Sequence, residues 1–216
     1  MRILFIRHPE STKNIARSFS SHENQEPLTL LGEQQVRKVV DVLSKYFSDK
    51  TLPGLYSATS LRAMALADAI GQSLGVKVVK SPELNSIDSG NVAGLNKEQM
   101  DKVAPGYFHK MELYEAGVVD AYTIDHPGES LIEFENRLYR LLLAAEEKDS
   151  VAIVIAHKSA ITAALIGYAR RANAYPEDFF GYIPLETARL SIVDITDSVT
   201  SIKEVNVAVE ELLGYE

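Results

Sequence analysis

With 216 residues, 46% of them hydrophobic and 24% charged, the chain can build one sizeable core and has an ordinary globular composition. It contains no cysteine, which excludes disulfides, thiolate metal sites and thiol nucleophiles, and its formal net charge of −8 disfavours nucleic acid and anionic lipid as partners. No apolar run reaches the roughly 18 residues of a membrane span, and the stretch after Met1 is too short for a signal peptide, so a cytoplasmic protein without membrane attachment is expected.

Short apolar runs alternate with longer amphipathic stretches. Ile3–Ile6, Gly54–Tyr56, Val76–Val79 and Val151–Ile155 have strand length. Thr29 caps a predicted helix over Leu30–Phe47, and Ser60 caps another that Gly75 stops after Leu74. From about Ser81 to Gly128 the pattern is irregular and rich in Gly and Pro, which predicts a loop and short-helix insertion within a single domain spanning 1–216. Ser130 and Glu133 have capping-box spacing ahead of a helix over Leu131–Ala145. A further helix is expected over Ser159–Arg171, whose Arg170-Arg171 pair reads as a solvated end. Ala188–Ile195 and Thr200–Val205, around Asp197-Ser198, read as an antiparallel hairpin. The alternation predicts an α/β fold with a mostly parallel central sheet and helices on both faces.

In such sheets ligands lie beyond the carboxyl ends of the strands. Ile3–Ile6 is followed at once by Arg7-His8, Val151–Ile155 by Ala156-His157, and Gly54–Tyr56 by Ser57 with Arg62 opening the next helix. Two histidines and two arginines therefore arrive at one edge from three strands. A single histidine at a strand end is ordinarily structural. Four such residues converging describe an anion pocket, where a neutral imidazole can attack phosphorus and the guanidiniums hold the phosphate oxygens. The histidines at 8, 22, 109, 126 and 157 show no metal-binding spacing, and Asp125-His126 reads as an exposed loop pair. Tyr107, Phe108, Tyr114, Phe179 and Phe180 read as core packing before they read as a substrate wall.

Arg7-His8-Pro9-Glu10-Ser11 with Asn14 resembles the Arg-His-Gly-Glu-Ser/Thr-x-x-Asn signature of the histidine phosphatase superfamily, the phosphoglycerate mutase-like group. The resemblance continues through Pro27-Leu28-Thr29, Gly32 with Gln35, Leu55-Tyr56-Ser57 with Arg62-Ala63, Gly128-Glu129-Ser130 with Arg137, and Val154-Ile155-Ala156-His157. It implies His8 as the phosphorylated nucleophile and Arg7, Arg62 and His157 as the rest of the phosphate pocket. The resemblance also implies that Ser11 and Asn14 line it, and the expected reaction needs no cofactor or metal and takes a small phosphorylated substrate or inorganic phosphate as partner.

Three positions depart from the pattern. Pro9 replaces a glycine and lacks an N–H. Ser86, in Leu84-Asn85-Ser86-Ile87-Asp88-Ser89-Gly90, stands where the resemblance implies a glutamate general acid. Asp88 is the nearest substitute and Glu129 a weaker one. Lys158 replaces the glycine after the second histidine and either faces solvent or adds charge for substrate binding. The expected function is a phosphatase working through phosphohistidine, slow or partial to good leaving groups. A non-catalytic phosphate-binding module is the alternative. A mutase comes third, because the basic residues between Gly90 and Gly128 are only Lys97, Lys102 and Lys110 with His109 and His126.

Overall fold

The computed structural model describes residues 1–16, 25–177, 179–197 and 199–215. Six strands form one sheet in the order β3-β2-β4-β1-β5-β6. They are β1 (Arg2–Arg7), β2 (Gly54–Ser57), β3 (Val78–Lys80), β4 (Val151–Ala156), β5 (Leu190–Thr196) and β6 (Val199–Val207). β1, β2, β3 and β4 run parallel, and β5 and β6 close one side antiparallel. The fold is thus the expected α/β class with a mostly parallel sheet. The third strand starts two residues later than its apolar run. Ser198, in the predicted hairpin turn, and His22 lie outside the described residues.

β1 and β4 are central because they are apolar on both faces. Ile3, Leu4, Phe5 and Ile6 are at most 1% exposed, as are Ile153, Val154 and Ile155. Burial of this kind stabilises by roughly 1.5–3 kcal/mol per large side chain. α2 (Leu30–Tyr46) packs on α3 (Leu61–Leu74), and α6 (Leu131–Glu146) on α7 (Lys158–Arg171). Caps set their ends. The Thr29 side chain accepts from Gly32 N at 3.0 Å, and Ser130 with Glu133 forms the complete capping box. Gly75, at φ +69°, ends α3 in the left-handed conformation that glycine adopts without strain. Gly32 matters for another reason: a Cβ there would stand 2.0 Å from the Glu10 carbonyl oxygen.

The irregular middle folds into short helices, α4 (Lys97–Val103) and α5 (Tyr107–Glu115), beside 3₁₀ turns. They enclose a small core of Val92, Met100, Tyr107 and Ile124, separate from the main one. Phe180 joins the main core, whereas Phe179 is 43% exposed. Arg170 is not solvated. Its guanidinium pairs with the buried Glu135 at 2.9 Å and donates to the Phe179 carbonyl at 2.7 Å, because α6 lies against this helix end. Among the described residues, no helix is long and apolar enough to cross a membrane.

Candidate active site

Strand register determines the geometry of the site. Arg7 pairs with Ala156 and Ser57 with Ile155, so β1 and β4 end level and β2 ends one residue earlier beside them. Backbone bonds continue beyond the strands, with His8 N donating to Ala156 O and Ala58 N to Ile155 O, both at 2.9 Å. His8 and His157 consequently face each other with ring centroids 5.1 Å apart. Arg62, in the first turn of α3, reaches the same place and is completely buried. Its Nε donates to His8 Nε2 and a terminal nitrogen to His157 Nδ1, each at 3.3 Å.

These contacts define the proton positions. The His8 Nδ1–H donates to the Pro9 carbonyl at 2.7 Å, which leaves the lone pair on Nε2. His157 accepts from arginine at Nδ1, so its neutral ring carries the proton on Nε2, 3.3 Å from the Ser60 hydroxyl. Ser60 occupies the helix cap position without capping the helix through its side chain. Burial, then the charges of Arg62 and Arg7, hold the His8 imidazole well below its usual range. Burial, His8 and Arg62 do the same to His157. Both rings are neutral at pH 7.

Arg7 completes the cluster electrostatically. It acts on both histidines and on Arg62, while one terminal nitrogen donates to Leu185 O. Its Nε is buried and has no hydrogen-bond partner among the described residues. A small anion is the natural acceptor for such a donor. His157 forms the N-terminal boundary of α7, and Arg62 the start of α3, so two helix ends add partial positive charge.

The other expected residues are placed as follows. Ser11 is fully buried, and its N and Oγ lie 2.9 and 3.0 Å from Asn14 Oδ1, which stiffens the turn after His8. Lys158 Nζ pairs with Glu115 Oε1 at 2.8 Å, with Tyr182 OH at 3.4 Å. It neither floats in solvent nor contacts the imidazoles, but its charge does act on Lys13 near the pocket. Asp88 is exposed, and its Oδ1 accepts from Gly90 N at 2.9 Å. Glu129 is held by Arg137 at 2.6 and 2.8 Å. Ser86 Oγ lies 2.8 Å from Ser159 Oγ. These loop residues line a polar cleft of about 850 Å³ whose wall includes none of the four clustered residues. Its acids Glu83, Asp88, Glu129 and Glu133 outnumber its cations Arg137 and Arg140, which makes it a poor anion site.

Three pocket residues escape sequence reasoning. Glu26 Oε2 lies 2.6 Å from Arg62 NH1. Lys13 on α1 (Thr12–Ala16) is half-buried, and burial with the charges of Arg62 and Arg7 lowers its ammonium to about 8. Ser60 touches His157. Proximity of Lys13 to the signature was the available signal; nothing marked Glu26.

The solved structures compared with this chain share its fold over nearly their whole length. An α-ribazole phosphatase from Shigella flexneri is 19% identical, with 95% of this chain and 96% of that one covered and a TM-score of 0.74. The YhfR protein of Bacillus stearothermophilus is 15% identical, with coverages of 96% and 97% and a TM-score of 0.77. A mycobacterial glucosyl-3-phosphoglycerate phosphatase in complex with inorganic phosphate is 20% identical, with coverages of 97% and 98% and a TM-score of 0.76. No curated protein sequence matches. A family model described as histidine phosphatase superfamily, branch 1, matches residues 3–208. With that match over almost the whole chain, and with paired imidazoles and arginines at one sheet edge, the protein belongs to the histidine phosphatase superfamily.

Proposed function

We propose that this chain is a phosphatase that forms a phosphohistidine at His8 and hydrolyses small phosphorylated substrates. The observation that carries the reading is the buried Arg62 bridging two neutral imidazoles, one of them fixed with its lone pair on Nε2. A phosphate arriving there replaces the imidazoles as acceptor for Arg62 and gives Arg7 Nε an oxygen. Nε2 of His8 then forms the N–P bond as the bond from phosphorus to the leaving oxygen breaks. A dianion beside His157 favours a proton on that ring, which then donates to a phosphate oxygen. Water next attacks the phosphohistidine, releasing phosphate and restoring His8.

The insertion favours hydrolysis over a mutase reaction. Its lysines are engaged elsewhere: Lys97 with Glu112, Lys102 with Glu98 and Lys110 with Asp125. The Shigella and mycobacterial neighbours are named as phosphatases, which accords with this reading. Position 86 supplies a hydroxyl bound to another hydroxyl, a poor acid for an alkoxide leaving group. Aryl and acyl phosphates are therefore turned over faster than alkyl esters. The same serine also favours a second reading, a phosphate-binding module without turnover.

The decisive measurement is hydrolysis of a chromogenic aryl phosphate by wild type and His8→Ala, with trapping of a phosphoenzyme that survives denaturation and is acid-labile. His8-dependent turnover and the trapped species are expected. Phosphate binding with no turnover would establish the module instead.

A further inference from the structure

We propose that Glu26 is the proton-transfer carboxyl of this pocket, the acid when His8 is phosphorylated and the base when phospho-His8 is hydrolysed; the assignment rests on the His8 reading above. Glu26 Oε2 is 2.6 Å from NH1 of Arg62, whose Nε and other terminal nitrogen donate to His8 and His157. One guanidinium thus joins this carboxyl to both imidazoles. Its side chain is 19% exposed, while that of Arg62 is fully buried, so the carboxyl is the solvent-accessible member of the pair.

Among the described residues, five other carboxylates near the cluster are hydrogen-bonded or ion-paired outside it. Asp88 accepts from Gly90 N, and Glu129 is held by Arg137. Glu115 and Glu186 act on the charge of Arg7, but they pair with Lys158 at 2.8 Å and Arg189 at 3.0 Å. Glu10 Oε1 accepts from the Thr29 hydroxyl at 2.7 Å. Glu26 alone among these six contacts a member of the imidazole–guanidinium cluster.

The chemistry closes without another reactant. As His8 Nε2 bonds to phosphorus, the ester oxygen leaves with the Glu26 proton, and Glu26 becomes a carboxylate. That carboxylate then takes a proton from the water attacking phospho-His8. Phosphate is released, His8 is neutral again and Glu26 has regained its proton. Incoming phosphate supports the cycle, because it competes for Arg62 and places like charge beside Glu26, which favours the protonated form. Lys13, on whose ammonium Glu26 acts, provides further positive charge at the same side.

The test compares kcat/KM for an alkyl phosphate and p-nitrophenyl phosphate in wild type, Glu26→Gln and Glu26→Asp. Loss of an acid hurts the basic leaving group most. Glu26→Gln is expected to lower the alkyl-ester value by about 10²-fold or more and the aryl value by less than about tenfold. Glu26→Asp, which keeps a carboxyl, is expected to recover part of the alkyl-ester loss. An equal fall on both substrates, or no fall on either, overturns the assignment and leaves Glu26 as a support for Arg62. Wild type without His8-dependent turnover of either substrate is the distinct result that removes the phosphatase reading itself.

Discussion

The imidazole–arginine cluster and the polar cleft of the 82–90 loop are built differently. The cluster comes from residues that directly follow core strands or open a core helix, and it is buried: His8 is 2% exposed, His157 4% and Arg62 0%. The cleft is assembled from the 82–90 loop and the start of α6, where polar side chains satisfy one another. Arg137 alone donates to the carbonyls of Glu83, Asn85 and Ser86 and pairs with Glu129. The first region has a geometry that strand register dictates. The second is held by hydrogen bonds among loop side chains and carbonyls, apart from the sheet.

The sharpest way to break this contrast is Arg62→Ala. It removes the donor common to both imidazoles and is expected to lower kcat/KM for an aryl phosphate by about 10²–10³-fold. Retention of more than a tenth of the activity would mean that the buried cluster is not where the reaction occurs. Arg137→Ala attacks the cleft. It orphans several carbonyls and the Glu129 carboxylate, and a stability loss of about 2–4 kcal/mol in urea unfolding is expected. The aryl phosphatase activity of the folded fraction should fall far less than in Arg62→Ala.

Titration gives a third handle. In the unfolded chain His8 and His157 take up protons below about 6.5; in the folded chain both are held well below that value. Lowering the pH therefore adds protons to the unfolded state first. Their contribution to stability is intact above 6.5 and declines as the pH falls toward the folded-state values, by up to about 1.4 kcal/mol per pH unit for each ring. Melting temperatures measured from pH 7.5 to 5 should fall, and His157→Asn should make the decline shallower. The smallest effect is expected for Ser86→Ala, whose aryl phosphatase activity should stay within about threefold of wild type, since only the bond to Ser159 is lost. A larger drop would give the serine a direct part in catalysis.

The same contrast explains what could be read from the sequence. Strands β1 and β4 are legible because residues buried on both faces must be apolar, and Arg7, His8 and His157 follow from where those runs stop. Arg62 follows from a cap and a helix start. Glu26 is not legible, because it reaches Arg62 across 36 residues from an irregular segment with no periodicity. Arg170 departs from its expected exposure for a related reason. Its partner Glu135 lies on another helix, so local sequence shows a basic terminus and conceals the ion pair that buries it.

The placement of β1 has a consequence for synthesis. β1 is synthesised before the other described strands of this sheet and lies interior to it, yet its two neighbours, β4 and β5, begin at residues 151 and 190. An amino-terminal fragment that stops before residue 151 exposes both edges of a strongly apolar strand and lacks half of the imidazole pair. The growing chain must shield Ile3–Ile6 until β4 and β5 have emerged, and completion of the sheet and pairing of the two imidazoles are then one event.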